Sequence, residues 1–104
     1  MQPILILWTC KNLDEARGIV KELLDQRLIA CASIIPQVES LFRWQGKIEH
    51  AQECKVFLKT VRRQFTHVRD FILDHCSYEI PEMIELKIEQ GNPAYLAWLQ
   101  SEVE

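Results

Sequence analysis

Between Ile29 and Thr60 the chain carries a long stretch of β-compatible side chains, and no other segment restricts the fold as much. Ile29 to Ile35 reads as a strand, Pro36 interrupts it, and Val38 to Trp44 resumes it. A proline has no N–H to give to a ladder, so a bulge or an edge position is expected there. Trp44-Gln45-Gly46-Lys47 supplies a reversal around a glycine that can take positive φ. The return strand is expected to run to about Thr60 in two parts, with polar His50 to Glu53 at the break. The arms of this hairpin are too long for one small domain to cover.

The flanking segments show shorter periods. Ile4 to Thr9 is a continuous apolar run, suited to a strand buried on both faces. Asn12 can cap a helix, with Glu15 placed to reach back to it; Leu13, Ala16, Val20, Leu23 and Leu24 follow at near-helical spacing, with an end expected near Leu28. Beyond the hairpin, Val61, Phe65, Val68, Phe71 and Ile72 give a second helix its apolar face, while Arg62, Arg63, Arg69 and Asp70 stay solvated. Ile84, Leu86 and Ile88 alternate with Glu85, Lys87 and Glu89, the period of a strand with one wet face. Asn92 and Pro93 open a last helix carrying Tyr95, Leu96, Trp98 and Leu99.

This β-α-β-β-α-β order predicts an α+β, ferredoxin-like sandwich with an extended hairpin and an extra C-terminal helix, one domain over residues 1–104. Two helices cover only one face of such a sheet. Phe42, Trp44 and Phe57 cannot all point toward them, so self-association through the sheets and the hairpin is expected.

Composition narrows the function. The net charge of -3 and the lack of any Lys/Arg block argue against a nucleic-acid partner. Ile4 to Trp8 is too short for a secretory core or a membrane span, so a cytosolic, membrane-free protein is expected. Cys10, Cys31, Cys54 and Cys76 form no C-x-x-C pair, which removes zinc-ribbon and thioredoxin readings and favours reduced thiols. Catalysis finds little support. Acylphosphatase would need a glycine-rich loop after the first strand, and WTCKNLDEAR has no glycine before Gly18. An RNA-recognition sheet would need stacked aromatics, and KVFLKTV offers only Phe57. His50, His67 and His75 have no evident triad partner.

RLIACASIIPQVESLFRWQGKI, LKT at Leu58 to Thr60, YEIPE and QGNPAYLAWL resemble, in order and spacing, the corresponding blocks of CutA, the divalent-cation-tolerance family. The likeness runs from about Ile4 to Leu99. It implies a homotrimer whose hairpins pair between subunits, similar in architecture to nitrogen-signalling trimers. It also implies a link to tolerance of copper and other divalent metals, through metal binding or signalling and without an established reaction. A trimeric signalling or scaffold role with no physiological metal site is the alternative.

The stretch DHCSYEIPEM holds the candidate site. Some family members have two consecutive histidines where this chain has His75 and Cys76, which leaves a nitrogen and a sulfur donor suited to Cu(I) or Zn. The same pair also reads as a turn, with His75 capping the carbonyl end of the second helix and Cys76 filling an apolar gap. Some members carry a cysteine near the end of the first strand; Trp8 stands there and cannot ligate. The resemblance makes Tyr78, Glu79 and Glu82, with Lys59, candidates for a pocket between subunits, and Trp44 a candidate interface anchor. Gln45 stands where glutamate is common in the family.

Overall fold

The computed structural model describes residues 1–104. In chain order it contains β1 (Pro3–Cys10), α1 (Leu13–Asp25), β2 (Cys31–Trp44), β3 (Lys47–Val61), α2 (Phe65–His75), β4 (Met83–Lys87) and α3 (Pro93–Glu102). The four strands form an antiparallel sheet in the order β2-β3-β1-β4, the ferredoxin-like topology expected from the element order.

Local chemistry explains the helix starts. The Asn12 side-chain oxygen accepts from the Glu15 N–H at 2.9 Å, and Asn92 does the same for Ala94 at 3.1 Å with Pro93 in the first turn. The first helix stops at Asp25, earlier than Leu28, because Arg27 takes a left-handed φ of 56°. Its buried face is Ala16, Ile19, Val20 and Leu23; Leu24 lies outside it and is exposed. Val61 belongs to β3, not to the second helix, and packs with Ala30, Leu99 and Val103 in a small core under α3.

The hairpin differs from its expected form in where it breaks. β3 is continuous through His50 to Glu53, and the irregularity falls on β2 alone, between Ile35 and Val38. Gln37 there has a φ of 58°. Ile35 pairs with Lys55 but Val38 pairs with Glu53, so two β2 residues oppose the single residue Cys54. At the tip Gln45 and Gly46 both have positive φ, the two-residue reversal that matches the strand twist. The hairpin helps stretch the molecule to 44 Å, against 26 and 22 Å across.

The two faces of the sheet are covered unequally: α1 and α2 cover one along its length, whereas α3 reaches only the Val61 end of the other. Ile4, Ile6, Trp8 and Cys10 of β1 and Cys54, Val56 and Leu58 of β3 point under α1 and α2, where they meet Leu23, Val68 and Ile72 in the main core. Residues of opposite parity form the other face. Leu5 and Leu7 stand beside Leu86 and Ile84, which are 45% and 46% exposed, and beside Lys59 and Phe57. The wet side of β4 is thus the apolar one, while Glu85 lies on the helix side, 4.0 Å from Arg62. Because the bulge adds one residue, Phe42 and Trp44 fall on this same open face, opposite Glu49 and Lys47.

Candidate functional site

The segment after α2 folds back along the open side of the sheet and, with the hairpin, encloses a groove of about 970 Å³. Trp44, Tyr78, Glu79 and Glu82 all line it. Lys59 does not: its ammonium lies 5.5 Å from the ring centroid of Tyr95, whose hydroxyl is 3.3 Å from the Cys31 sulfur. The Tyr95 hydroxyl is pushed up, first by that contact with Cys31 and then by burial.

Three groove residues were not singled out in the sequence. The Lys55 ammonium donates to Glu82 Oε1 at 2.7 Å and to Thr9 Oγ1 at 2.8 Å, and the Thr9 hydroxyl donates to the same carboxylate oxygen at 2.9 Å. Glu53, only 8% exposed, accepts from the Tyr78 hydroxyl at 2.6 Å. Burial first, and the Glu53 carboxylate second, raise the Tyr78 hydroxyl well above its ordinary range, so it stays a donor. The alternation of β3 was the available signal, since Glu53, Lys55 and Phe57 share one face.

His75 and Cys76 lie at the mouth of the segment. The His75 Nδ1–H donates to the Phe71 carbonyl at 2.8 Å, and the ring stacks on Phe71 with centroids 3.9 Å apart. This bond makes His75 a cap of the last helical turn, and it engages Nδ1 and not Nε2. The Cys76 thiol donates to the Tyr78 carbonyl at 3.3 Å and packs against the main core. Burial raises its pKa above the ordinary value. No group of three or more His, Cys, Asp or Glu side chains is arranged to hold a metal ion. Trp8 is fully buried on the helix side of β1, away from the groove, and its indole N–H has no hydrogen-bond partner.

The profile of the family described as CutA1 divalent ion tolerance protein matches residues 4–102. The chain belongs to the CutA1 divalent ion tolerance family. It is 40% identical over 96 residues to the divalent-cation tolerance protein CutA of Archaeoglobus fulgidus, covering 92% of this chain and 93% of that one. It is 38% identical to mouse protein CutA, of which it spans only 54%, and 37% identical to the Xenopus laevis homologue, of which it spans 60%. The chain thus spans a little over half the length of these animal relatives. Among solved structures, the Thermus thermophilus divalent cation tolerance protein superposes with a TM-score of 0.95 at 33% identity, over 98% of this chain and 99% of that one. CutA from Xylella fastidiosa gives the same TM-score at 34% identity over the whole of both chains.

The geometry refines one helix start. A capping box would have the Glu15 carboxylate return to the Asn12 N–H. Here only the cap's half forms, and the carboxylate instead accepts from the Cys10 thiol at 3.2 Å and from the Ser77 N–H and hydroxyl at 3.1 and 3.2 Å. Glu15 therefore ties the start of α1 to the turn that carries Cys76.

Proposed function

We propose that this chain acts as a homotrimeric divalent-cation-tolerance protein, a binding or signalling protein and not an enzyme, whose working clefts form where the groove of one subunit meets its neighbour. The observation that carries this reading is the sheet face that α1 and α2 leave open, with Leu5, Leu7, Phe57, Ile84 and Leu86 on the body of the sheet and Phe42 and Trp44 on the hairpin. An apolar surface of that extent favours burial against another copy. None of the three histidines contacts a serine, threonine or cysteine side chain as a nucleophile–base pair would: His50 meets Glu39, His67 meets Gln64 and His75 meets the Phe71 carbonyl.

In this reading His75 Nε2 and the Cys76 sulfur are donors for copper, Cu(I) best, since imidazole and thiolate match a soft ion. Two donors from one chain do not fill a tetrahedral shell. A neighbouring subunit or water would complete it, with Glu79 and Glu82 as groove carboxylates and Lys59 outside the groove beside Tyr95. The alternative, a signalling trimer with no physiological metal, is favoured by the Cys76 thiol's bond to the Tyr78 carbonyl, which copper would have to break.

Four free cysteines fit a reducing, cytosolic setting. No helix is long and apolar enough to cross a membrane. The Archaeoglobus relative's structure is described as that of a periplasmic protein, so fractionation is the direct test of location. Native mass spectrometry of the reduced protein, with and without Cu(I), Cu(II) and Zn, tests assembly and stoichiometry together. Trimers binding one Cu(I) per subunit, lost in Cys76→Ser, are expected. A monomer at micromolar concentration would overturn the assembly, and equal Cu(I) affinity in wild type and Cys76→Ser would leave the metal-free alternative.

A further inference from the structure

Cys10 and Cys54 are direct partners across β1 and β3. Directly opposed residues on neighbouring strands project to the same face, and both of these belong to the core under the helices, 1% and 3% exposed. The type of pair can be read from the ladder. The Arg62 N–H donates to the Gln2 carbonyl at 2.8 Å, and the unbroken register from Pro3↔Val61 to Cys10↔Cys54 puts even-numbered β1 residues in hydrogen-bonded pairs with β3. Opposed residues of that type have Cα atoms roughly 5.5 Å apart, inside the span of about 4.4–6.8 Å that a disulfide bridges.

We propose that Cys10 and Cys54 form a reversible cross-strand disulfide when the protein meets a peroxide. Cys54 is the entry point. It lines a shallow cleft of about 270 Å³ bounded by Lys11, Asn12 and the β2 bulge at Pro36 and Gln37, which admits a molecule as small as hydrogen peroxide. The Cys54 sulfur attacks one peroxide oxygen, the O–O bond breaks, and the departing hydroxide takes up the Cys54 thiol proton and leaves as water, with a sulfenic acid left on Cys54. The Cys10 sulfur then attacks the Cys54 sulfur, the S–O bond breaks, and the departing hydroxide leaves as a second water once the Cys10 proton, relayed through Glu15, reaches it. Two thiols and one peroxide give one disulfide and two waters, with sulfur oxidised and peroxide reduced.

Glu15 assists the second step. Its carboxylate accepts the Cys10 thiol hydrogen at 3.2 Å, in place to take that proton as the S–S bond forms. Burial, with Glu15 adding to it, pushes Cys10 up to about 12, so the thiol does not ionise by itself near neutrality and needs that base. Disulfide formation also removes the Cys10 donor from Glu15, leaving Ser77, in the turn after His75 and Cys76, as that carboxylate's remaining partner. Oxidation state and the turn at Ser77 share one carboxylate.

The test treats the reduced full chain with hydrogen peroxide, blocks remaining thiols by alkylation and maps peptides by mass spectrometry. Expected are loss of two of the four free thiols, a Cys10–Cys54 linked peptide, and full recovery with a dithiol reductant. Cys10→Ala should stop at a Cys54 sulfenic acid that a 1,3-dione reagent traps, Glu15→Gln should slow closure about tenfold or more, and Cys31→Ser should form the same linked peptide as wild type. A linked peptide containing Cys76, or oxidation of Cys10 and Cys54 only in denaturant, would overturn the proposal. The wild-type peptide map decides this even where a variant folds poorly.

Discussion

The two faces of the sheet are built from the same strands and share an apolar composition, yet only one is complete within a chain. On the helix side, Ile4, Ile6, Trp8, Val56 and Leu58 are fully buried. On the open side, Ile84, Leu86, Phe42 and Trp44 remain 40–46% exposed, and charged Lys55, Lys59 and Glu53 are interleaved with them. The covered face carries stability, and the open face is the one proposed to carry association. Polar side chains on the open face are tied into specific contacts, Lys55 with Glu82 and Tyr78 with Glu53, which fix the groove's shape before any partner arrives.

The strongest way to break this division is Trp44→Ala. With the ring buried by a neighbouring subunit, its loss should cost on the order of 3–5 kcal/mol, seen as a rise in the dissociation concentration by light scattering. A protein that dissociates and melts as wild type would put Trp44 outside the contact. Leu58→Ala addresses the other face. It should lower unfolding free energy by about 2–5 kcal/mol in urea melts, and the loss should appear in the stability of the chain and not in its assembly.

Titration sharpens the comparison at the covered rim. Cys10 has its folded pKa raised from 9.0 to about 12, so the folded state holds the proton where the unfolded chain has released it. Its contribution is complete below pH 9.0 and is lost as pH rises toward about 12. Melts between those limits should show stability falling with pH, and Cys10→Ala should flatten that slope; an unchanged slope would assign it to other groups. The smallest effect belongs to the exposed hairpin pair of His50 and Glu39, 3.6 Å apart with side chains 59% and 68% exposed. Glu39→Gln should change stability by less than about 0.5 kcal/mol in the same melts. A larger change would mean that the hairpin arm is covered in the assembly.

Much of the fold was legible because local chemistry and periodicity are local facts. Asn12 and Asn92 cap helices wherever the helices go, and Gln45-Gly46 reverses the chain whatever it packs against. The break in the hairpin falls at Pro36, as its chemistry predicts, and not at His50 to Glu53, since a polar run in a strand looks like an interruption unless its partner strand is known. The candidate groove was readable through Tyr78, Glu79, Glu82 and Trp44, whereas Lys55, Thr9 and Glu53 emerged only with the register.

The sequence by itself determined the order of elements, their caps, the tip of the hairpin, the family and the presence of more apolar strand surface than two helices can cover. Only the tertiary structure decided which surface that is. A period of two assigns alternate residues to opposite faces but does not say which face is covered, and one extra residue in β2 moves Phe42 and Trp44 from one to the other. The same holds for contacts between distant segments. Cys10 opposite Cys54, Glu15 turned toward Ser77, and Lys59 set apart from the groove depend on strand register and helix docking. Those are fixed by the packing of the whole core and by no short stretch of the chain.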